Sequence, residues 1–295
     1  MLKLEGSFVA LVTPFKDGRV NREKLKELVE FHLANGTDGI VPCGTTGESA
    51  TLSLEEHKEV VEVVVEAVDG RVPVLAGAGS NNTKEAEELI THACRCGADG
   101  VLIITPYYNK PTQEGLFRHF ALLNQVSEVP IVMYNVPGRT AVNMSPDTVA
   151  RLSKLDKIVG IKEASKDLTQ VSEILTKCEP DFAVVSGDDA VTLPMLAIGG
   201  KGVISVVANI APQETADMVR HYLRGEIKEA LVLHRRLFPL SQAMFLETNP
   251  APVKAALNLL GKDVGEVRLP LVDISGPNRL KLRQVMIEFG FEVSE

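Results

Sequence analysis

The chain lacks the marks of several large protein classes. No long run of basic residues offsets a formal net charge of −8 over 295 residues. Nucleic acid and an anionic membrane surface are therefore disfavoured as partners, and a small molecule is expected instead. No apolar stretch approaches the roughly 20 residues of a spanning helix. Met1 to Gly6 carries no signal-peptide core, so a cytoplasmic protein is expected. The four cysteines, Cys43, Cys94, Cys96 and Cys178, form no pair-of-pairs spacing. They are expected to be reduced thiols, neither a disulfide framework nor a metal cluster. All six histidines, His32, His57, His92, His119, His221 and His234, fall in helical patterns. Ligands of a catalytic metal in a barrel would be expected at strand ends, so metal catalysis is disfavoured.

What is present is a repeated alternation. With 45% hydrophobic residues the chain can bury a large core. Short apolar runs at Phe8 to Val12, Gly39 to Cys43, Val72 to Gly77, Val101 to Ile104 and Ile131 to Tyr134 are each followed by turn residues and an amphipathic pattern. So are those at Ile158 to Lys162, Phe182 to Val185 and Gly202 to Val206. Continuous apolar runs suit parallel strands covered on both faces. Eight such units, with no G-x-G-x-x-G after the first, predict a closed (β/α)₈ TIM barrel in preference to an open doubly wound sheet. Strand signals end near Gly225. Helical patterns over Ile227 to Phe245, Pro252 to Leu260 and Pro277 to Phe289 remain. The expected organisation is a barrel over 1–225 and a C-terminal helical extension over 226–295.

In a barrel of this kind the chemistry sits at the C-terminal ends of the strands. There the stretch Ile158-Val159-Gly160-Ile161-Lys162 ends an apolar run in a lysine. A buried ammonium either finds a partner, escapes to solvent or loses its proton, and a neutral amine attacks carbonyls. Tyr134 ends the fifth run, Tyr107 and Tyr108 follow the fourth, and Thr45 and Thr46 follow the second. The Gly44-Thr45-Thr46-Gly47 turn lacks the G-K-[ST] ending of a P-loop. It reads equally as an anion-binding turn and as plain turn chemistry. Arg139, in the loop after strand five, reads equally as a carboxylate grip and as a surface ion pair. Asp188 and Asp189 read as loop or helix-cap residues. Together these groups fit a mechanism in which neutral Lys162 adds to the ketone of a small 2-oxo acid held by its carboxylate on the Thr45-Thr46 turn. Loss of water would give an imine, and a tyrosine hydroxyl would shuttle protons.

At these residues the sequence resembles the dihydrodipicolinate synthase (4-hydroxy-tetrahydrodipicolinate synthase) family of the diaminopimelate and lysine pathway, within the N-acetylneuraminate lyase superfamily. The likeness runs from Ala10-Leu11-Val12-Thr13-Pro14-Phe15 to Arg268-Leu269-Pro270-Leu271. Thr105-Pro106-Tyr107-Tyr108-Asn109-Lys110-Pro111, Tyr134-Asn135-Val136-Pro137-Gly138-Arg139-Thr140 and Gly200-Lys201-Gly202-Val203-Ile204-Ser205 look like the synthase branch.

The resemblance implies a lyase in which Lys162 forms a Schiff base with pyruvate and Thr46 holds its carboxylate. Thr45, Tyr108 and Tyr134 would relay protons, Arg139 would bind L-aspartate 4-semialdehyde, and Gly187 and Ile204 would line the pocket. It further implies no metal or organic cofactor, and a homo-oligomer, a dimer of tight dimers, in which Tyr108 reaches the neighbouring subunit's site. Some members bind inhibitory lysine at positions matching Ser49, Ala50, His57, Asn81, Glu85 and Tyr107. Leu54 stands where that pattern has a histidine, which removes one polar contact. The alternatives are a sugar-acid aldolase of the same superfamily, which has less use for Arg139, and a barrel without catalysis.

Overall fold

The computed structural model describes residues 2–294. Eight strands build the barrel: β1 (Gly6–Ala10), β2 (Gly39–Val41), β3 (Leu75–Gly77), β4 (Gly100–Ile104), β5 (Ile131–Asn135), β6 (Ile158–Glu163), β7 (Ala183–Ser186) and β8 (Gly202–Ser205). Every pairing in this sheet is parallel, and the spatial order is β2-β1-β8-β7-β6-β5-β4-β3. A parallel bridge from Ile40 to Val74 closes β2 onto the start of β3, so the sheet is a TIM barrel.

The helices between strands are started by side chains at their N-termini. Asn21 caps α1 (Arg22–Ala34), a Ser53–Glu56 capping box opens α2 (Leu54–Val68), and Asn82 caps α3 (Thr83–Cys96). Thr112, Ser145 and Asp167 do the same for α4 (Gln113–Val126), α6 (Pro146–Leu152) and α7 (Leu168–Lys177), with the short α5 (Pro137–Thr140) between α4 and α6. Next come α8 (Thr192–Ala197) and α9 (Pro212–Leu223).

Alternation along each strand sorts side chains into two layers. Phe8, Ala10, Val41, Leu75, Leu102, Val132, Val185 and Ile204 fill the barrel interior. Their neighbours Val9, Ile40, Ala76, Val101, Ile103, Met133, Val184 and Val203 pack outward in the larger core that the helices cover.

The C-terminal helices are α10 (Ile227–Ala243), α11 (Ala251–Leu259) and α12 (Gly276–Phe289). Helix α10 packs along α9 and α12, and α11 packs on α12. Among the described residues no helix is long and apolar enough to cross a membrane.

The strand ends differ from the sequence expectation where pairing decides them. β1 starts earlier, because Gly6 and Ser7 pair with Gly202 and Val203. It also stops earlier, because the Val12 N–H turns to the Asn209 side chain at 3.2 Å. β2 ends at Val41, just before Pro42, which has no N–H to give to a ladder. Arg139 is not in a loop but in α5, where Pro137 presets the first helical φ and the Val136 carbonyl accepts from the N–H of Arg139 (2.9 Å) and Thr140 (3.1 Å).

Candidate active site

The register of three strands places the central residues. Tyr134 on β5 lies beside Lys162 on β6, and Lys162 beside Val185 on β7. All three sit at interior positions near the C-terminal end of the barrel. Lys162 is 6% exposed, and its Nζ lies 4.3 Å from the centroid of the Tyr134 ring. Burial drives its pKa down to about 8; the Asp189 carboxylate opposes that shift and the Arg139 guanidinium adds to it. The lysine stem needs the glycine beside it. A Cβ on Gly187 would stand 2.6 Å from the Ala164 Cβ and 3.1 Å from the Lys162 Cε. Tyr134 is buried too, which raises its phenol pKa, while its interaction with the Thr45 hydroxyl pulls the other way.

The threonine turn is built from its own backbone. The Glu48 N–H donates to the Thr45 carbonyl (3.1 Å), the Ser49 N–H donates to the Gly44 carbonyl (3.3 Å), and the Thr13 hydroxyl ties down the Gly47 carbonyl at 2.6 Å. Glu48 follows in the left-handed region at φ 57°. Thr46 is buried, and its Oγ1 accepts a hydrogen bond from Asn249 Nδ2 at 2.9 Å. Arg139 Nη2 donates to the Asn249 carbonyl at 3.0 Å, which holds the guanidinium at the mouth.

A cavity of about 380 Å³ opens beside this group. Thr45, Tyr134, Arg139 and Asn249 line one part of it; Ser49, Ala50, Leu54, His57, Glu85 and Tyr107 line another. Lys162, Thr46, Gly187 and Ile204 are not on its wall. Lys162 Nζ stands over the Tyr134 ring, and Ile204, 1% exposed, packs in the barrel interior. Asn81 is also off this wall; its carbonyl accepts from Asn109 at 2.9 Å. Tyr108 does not join Lys162 within the chain. It is 88% exposed, at φ 71° on the loop after β4.

Three features escaped sequence reasoning. Asp188 caps the turn after β7 as expected, accepting from the Ala190 N–H at 3.0 Å. Asp189, by contrast, is buried and accepts from the Ser205 hydroxyl (2.5 Å) and the N–H groups of Val206 (3.0 Å) and Val207 (3.1 Å). Burial raises its carboxyl pKa while these donors lower it, and its charge favours protonated Lys162. Asn249 precedes Pro250 and belongs to no motif in the sequence. Lys254 lies in the helical pattern over Pro252 to Leu260, and its Nζ is buried against Glu48 Oε1 (2.8 Å), the Thr13 carbonyl (3.1 Å) and the Glu266 carbonyl (2.7 Å). Of the described residues, Glu62, His92 and Cys96 form the only group of three or more His, Cys, Asp or Glu whose ligand atoms lie within 4.8 Å of one another. They lie on the outer helices α2 and α3, where His92 Nε2 already meets Glu62 Oε1 at 2.9 Å.

Fold and site together define a (β/α)₈ barrel whose polar residues gather around a buried lysine amine at the strand C-termini. The model of the dihydrodipicolinate synthetase family matches residues 3–288. A 4-hydroxy-tetrahydrodipicolinate synthase of Syntrophobacter fumaroxidans is 56% identical over 287 residues, covering 97% of this chain and 99% of that one. The crystal structure of dihydrodipicolinate synthase from Aquifex aeolicus superposes with a TM-score of 0.97 at 47% identity, covering 99% and 100% of the two chains. That of the enzyme from Cyanidioschyzon merolae, with lysine bound, gives 0.95 at 44% identity over 97% and 98%. The chain belongs to the dihydrodipicolinate synthetase family.

Proposed function

We propose that this chain is a 4-hydroxy-tetrahydrodipicolinate synthase, a lyase that condenses pyruvate with L-aspartate 4-semialdehyde in the diaminopimelate route to lysine. The observation that carries the mechanism is the buried Lys162 amine, with a pKa near 8, set against Tyr134. At neutral pH about a tenth of such amines are uncharged, enough to attack a bound ketone.

Lys162 Nζ adds to C2 of pyruvate. The carbonyl oxygen leaves as water after taking up protons, and a protonated imine results. Thr46 and the adjacent backbone hold the carboxylate, with Gly187 and Ile204 shaping the pocket. The iminium withdraws electrons from C3, which loses a proton to become an enamine. The enamine carbon attacks the aldehyde carbon of the second substrate, whose carboxylate Arg139 grips. The amino group of that substrate then attacks the imine carbon, closing the ring and releasing Lys162. Protons travel through Tyr134, Thr45 and Tyr108 of a second copy of the chain. The high exposure of Tyr108 supports that last assignment, and with it a homo-oligomer built of tight dimers; a biosynthetic role of this kind places the enzyme in the cytoplasm. Ser49, Ala50, His57, Asn81, Glu85 and Tyr107 are the proposed contacts of a regulatory lysine. Leu54 gives that wall apolar surface where a histidine would hydrogen-bond, which weakens such a site.

The test offers purified protein pyruvate with a panel of aldehydes. Consumption of L-aspartate 4-semialdehyde is expected; preferential use of a sugar aldehyde would assign the chain to the sugar-acid aldolases instead.

A further inference from the structure

Asn249 is the point at which the C-terminal segment touches both proposed carboxylate sites. The residue is 4% exposed and lies on the cavity wall. Nδ2 donates to Thr46 Oγ1 at 2.9 Å, while the backbone carbonyl accepts from Arg139 at 3.0 Å. Oδ1 is buried with no hydrogen-bond partner. An unmatched buried acceptor lowers stability by roughly 1–3 kcal/mol, so this side chain is not explained by what it adds to the fold. Its one polar contact is Thr46.

A threonine hydroxyl has a single proton and can donate only once. While Asn249 Nδ2 donates to Oγ1, the Thr46 O–H proton is not spent on Asn249 and is free to be donated to an acceptor in the site. We infer that Asn249 is a positioning residue that sets the direction of the Thr46 hydrogen bond, making Thr46 a donor to the carboxylate of the 2-oxo acid. The inference rests on the reading of Lys162 and Thr46 as the pyruvate site. The side chain governs that site alone. Arg139 is held by the Asn249 backbone, which a side-chain substitution leaves in place, so the two substrates should respond differently.

Initial rates of the full-length protein against each substrate test this with Asn249→Leu, Thr46→Val and the double variant. Asn249→Leu keeps the size and removes the donor. It should raise the pyruvate KM roughly tenfold, the weight of one hydrogen bond to a charged group. The aldehyde KM should stay within about twofold of wild type, and thermal stability should not fall. In the Thr46→Val background the same change should leave the pyruvate KM within about twofold, because the two residues act as one unit.

A lowered pyruvate KM in Asn249→Leu would overturn the inference, since it would mean that Asn249 normally takes the Thr46 proton. A parallel rise of both KM values, or an undiminished effect beside Thr46→Val, would mark a merely structural role and overturn it too. Should Asn249→Leu fail to fold, Asn249→Asp keeps the shape and offers only acceptors. An unchanged pyruvate KM there would equally reject the inference. Wild-type protein that yields no borohydride-trapped pyruvate adduct rejects the underlying reading of the site. A wild-type adduct with unaltered kinetics in Asn249→Leu rejects this inference alone.

Discussion

Lys162 sets the pH behaviour of the site. Its pKa in the folded chain, about 8, lies below the value of about 10.4 for a free lysine, and burial is the main cause. Between those two values the unfolded chain binds more protons than the folded one, so this residue makes stability rise with pH across that window. The full penalty is present below pH 8. For chemistry the same shift works in favour of the enzyme. The rate of imine formation with pyruvate, followed by rapid borohydride quench, should climb about tenfold per pH unit up to near pH 8 and then level off. A rate still rising at pH 10 would mean an unshifted amine. This lysine was legible in the sequence because an apolar run ending in an ammonium is anomalous on its own. Asp189, which opposes the shift, was not, because its burial depends on Ser205 and the N–H groups of Val206 and Val207 from the next strand and its loop.

The elements were legible as far as local pattern determines them. Continuous apolar runs identify the strands and cap residues identify the helix starts, yet strand ends move to wherever the neighbouring strand offers partners, as at Gly6 and Val12. Helix α5 is hidden because Pro-Gly-Arg-Thr carries the composition of a turn. Helix α11 holds the least legible contact, the ion pair of Lys254 with Glu48, whose side chains are 2% and 1% exposed. The Arg268 N–H donates to the second Glu48 oxygen at 2.9 Å. Through Glu48 this helix grips the residue that follows the threonine turn. Lys254→Met would leave a buried carboxylate without its cation and should lower stability by on the order of 3–5 kcal/mol. Pairing it with Glu48→Leu should recover part of that loss. Chemical denaturation measures both, and a loss below about 1 kcal/mol in the single variant would show the pair to be dispensable.

For the molecule as a whole, the barrel brings together groups that lie far apart in the chain, with Thr46 and Asn249 separated by 203 positions. Strand order in the sequence identifies which residues share a rim. It could not tell that segments after residue 225 would close the site, since Asn249 and Lys254 act through contacts and carry no motif of their own. We propose that the C-terminal helices fold as one body with the barrel, because Lys254 spans from α11 to the Thr13 carbonyl and Glu48. The proposed reaction needs one more molecular feature, a second chain to bring Tyr108 to the site, and the exposure of that residue leaves it available.

All of this depends on the Lys162 amine being the group that captures pyruvate. Borohydride reduction in the presence of pyruvate, followed by intact mass and peptide mapping, measures that directly. The account predicts a single reduced three-carbon adduct per chain, located on Lys162 and absent from Lys162→Ala. An unmodified chain, or an adduct on any other lysine, would contradict it.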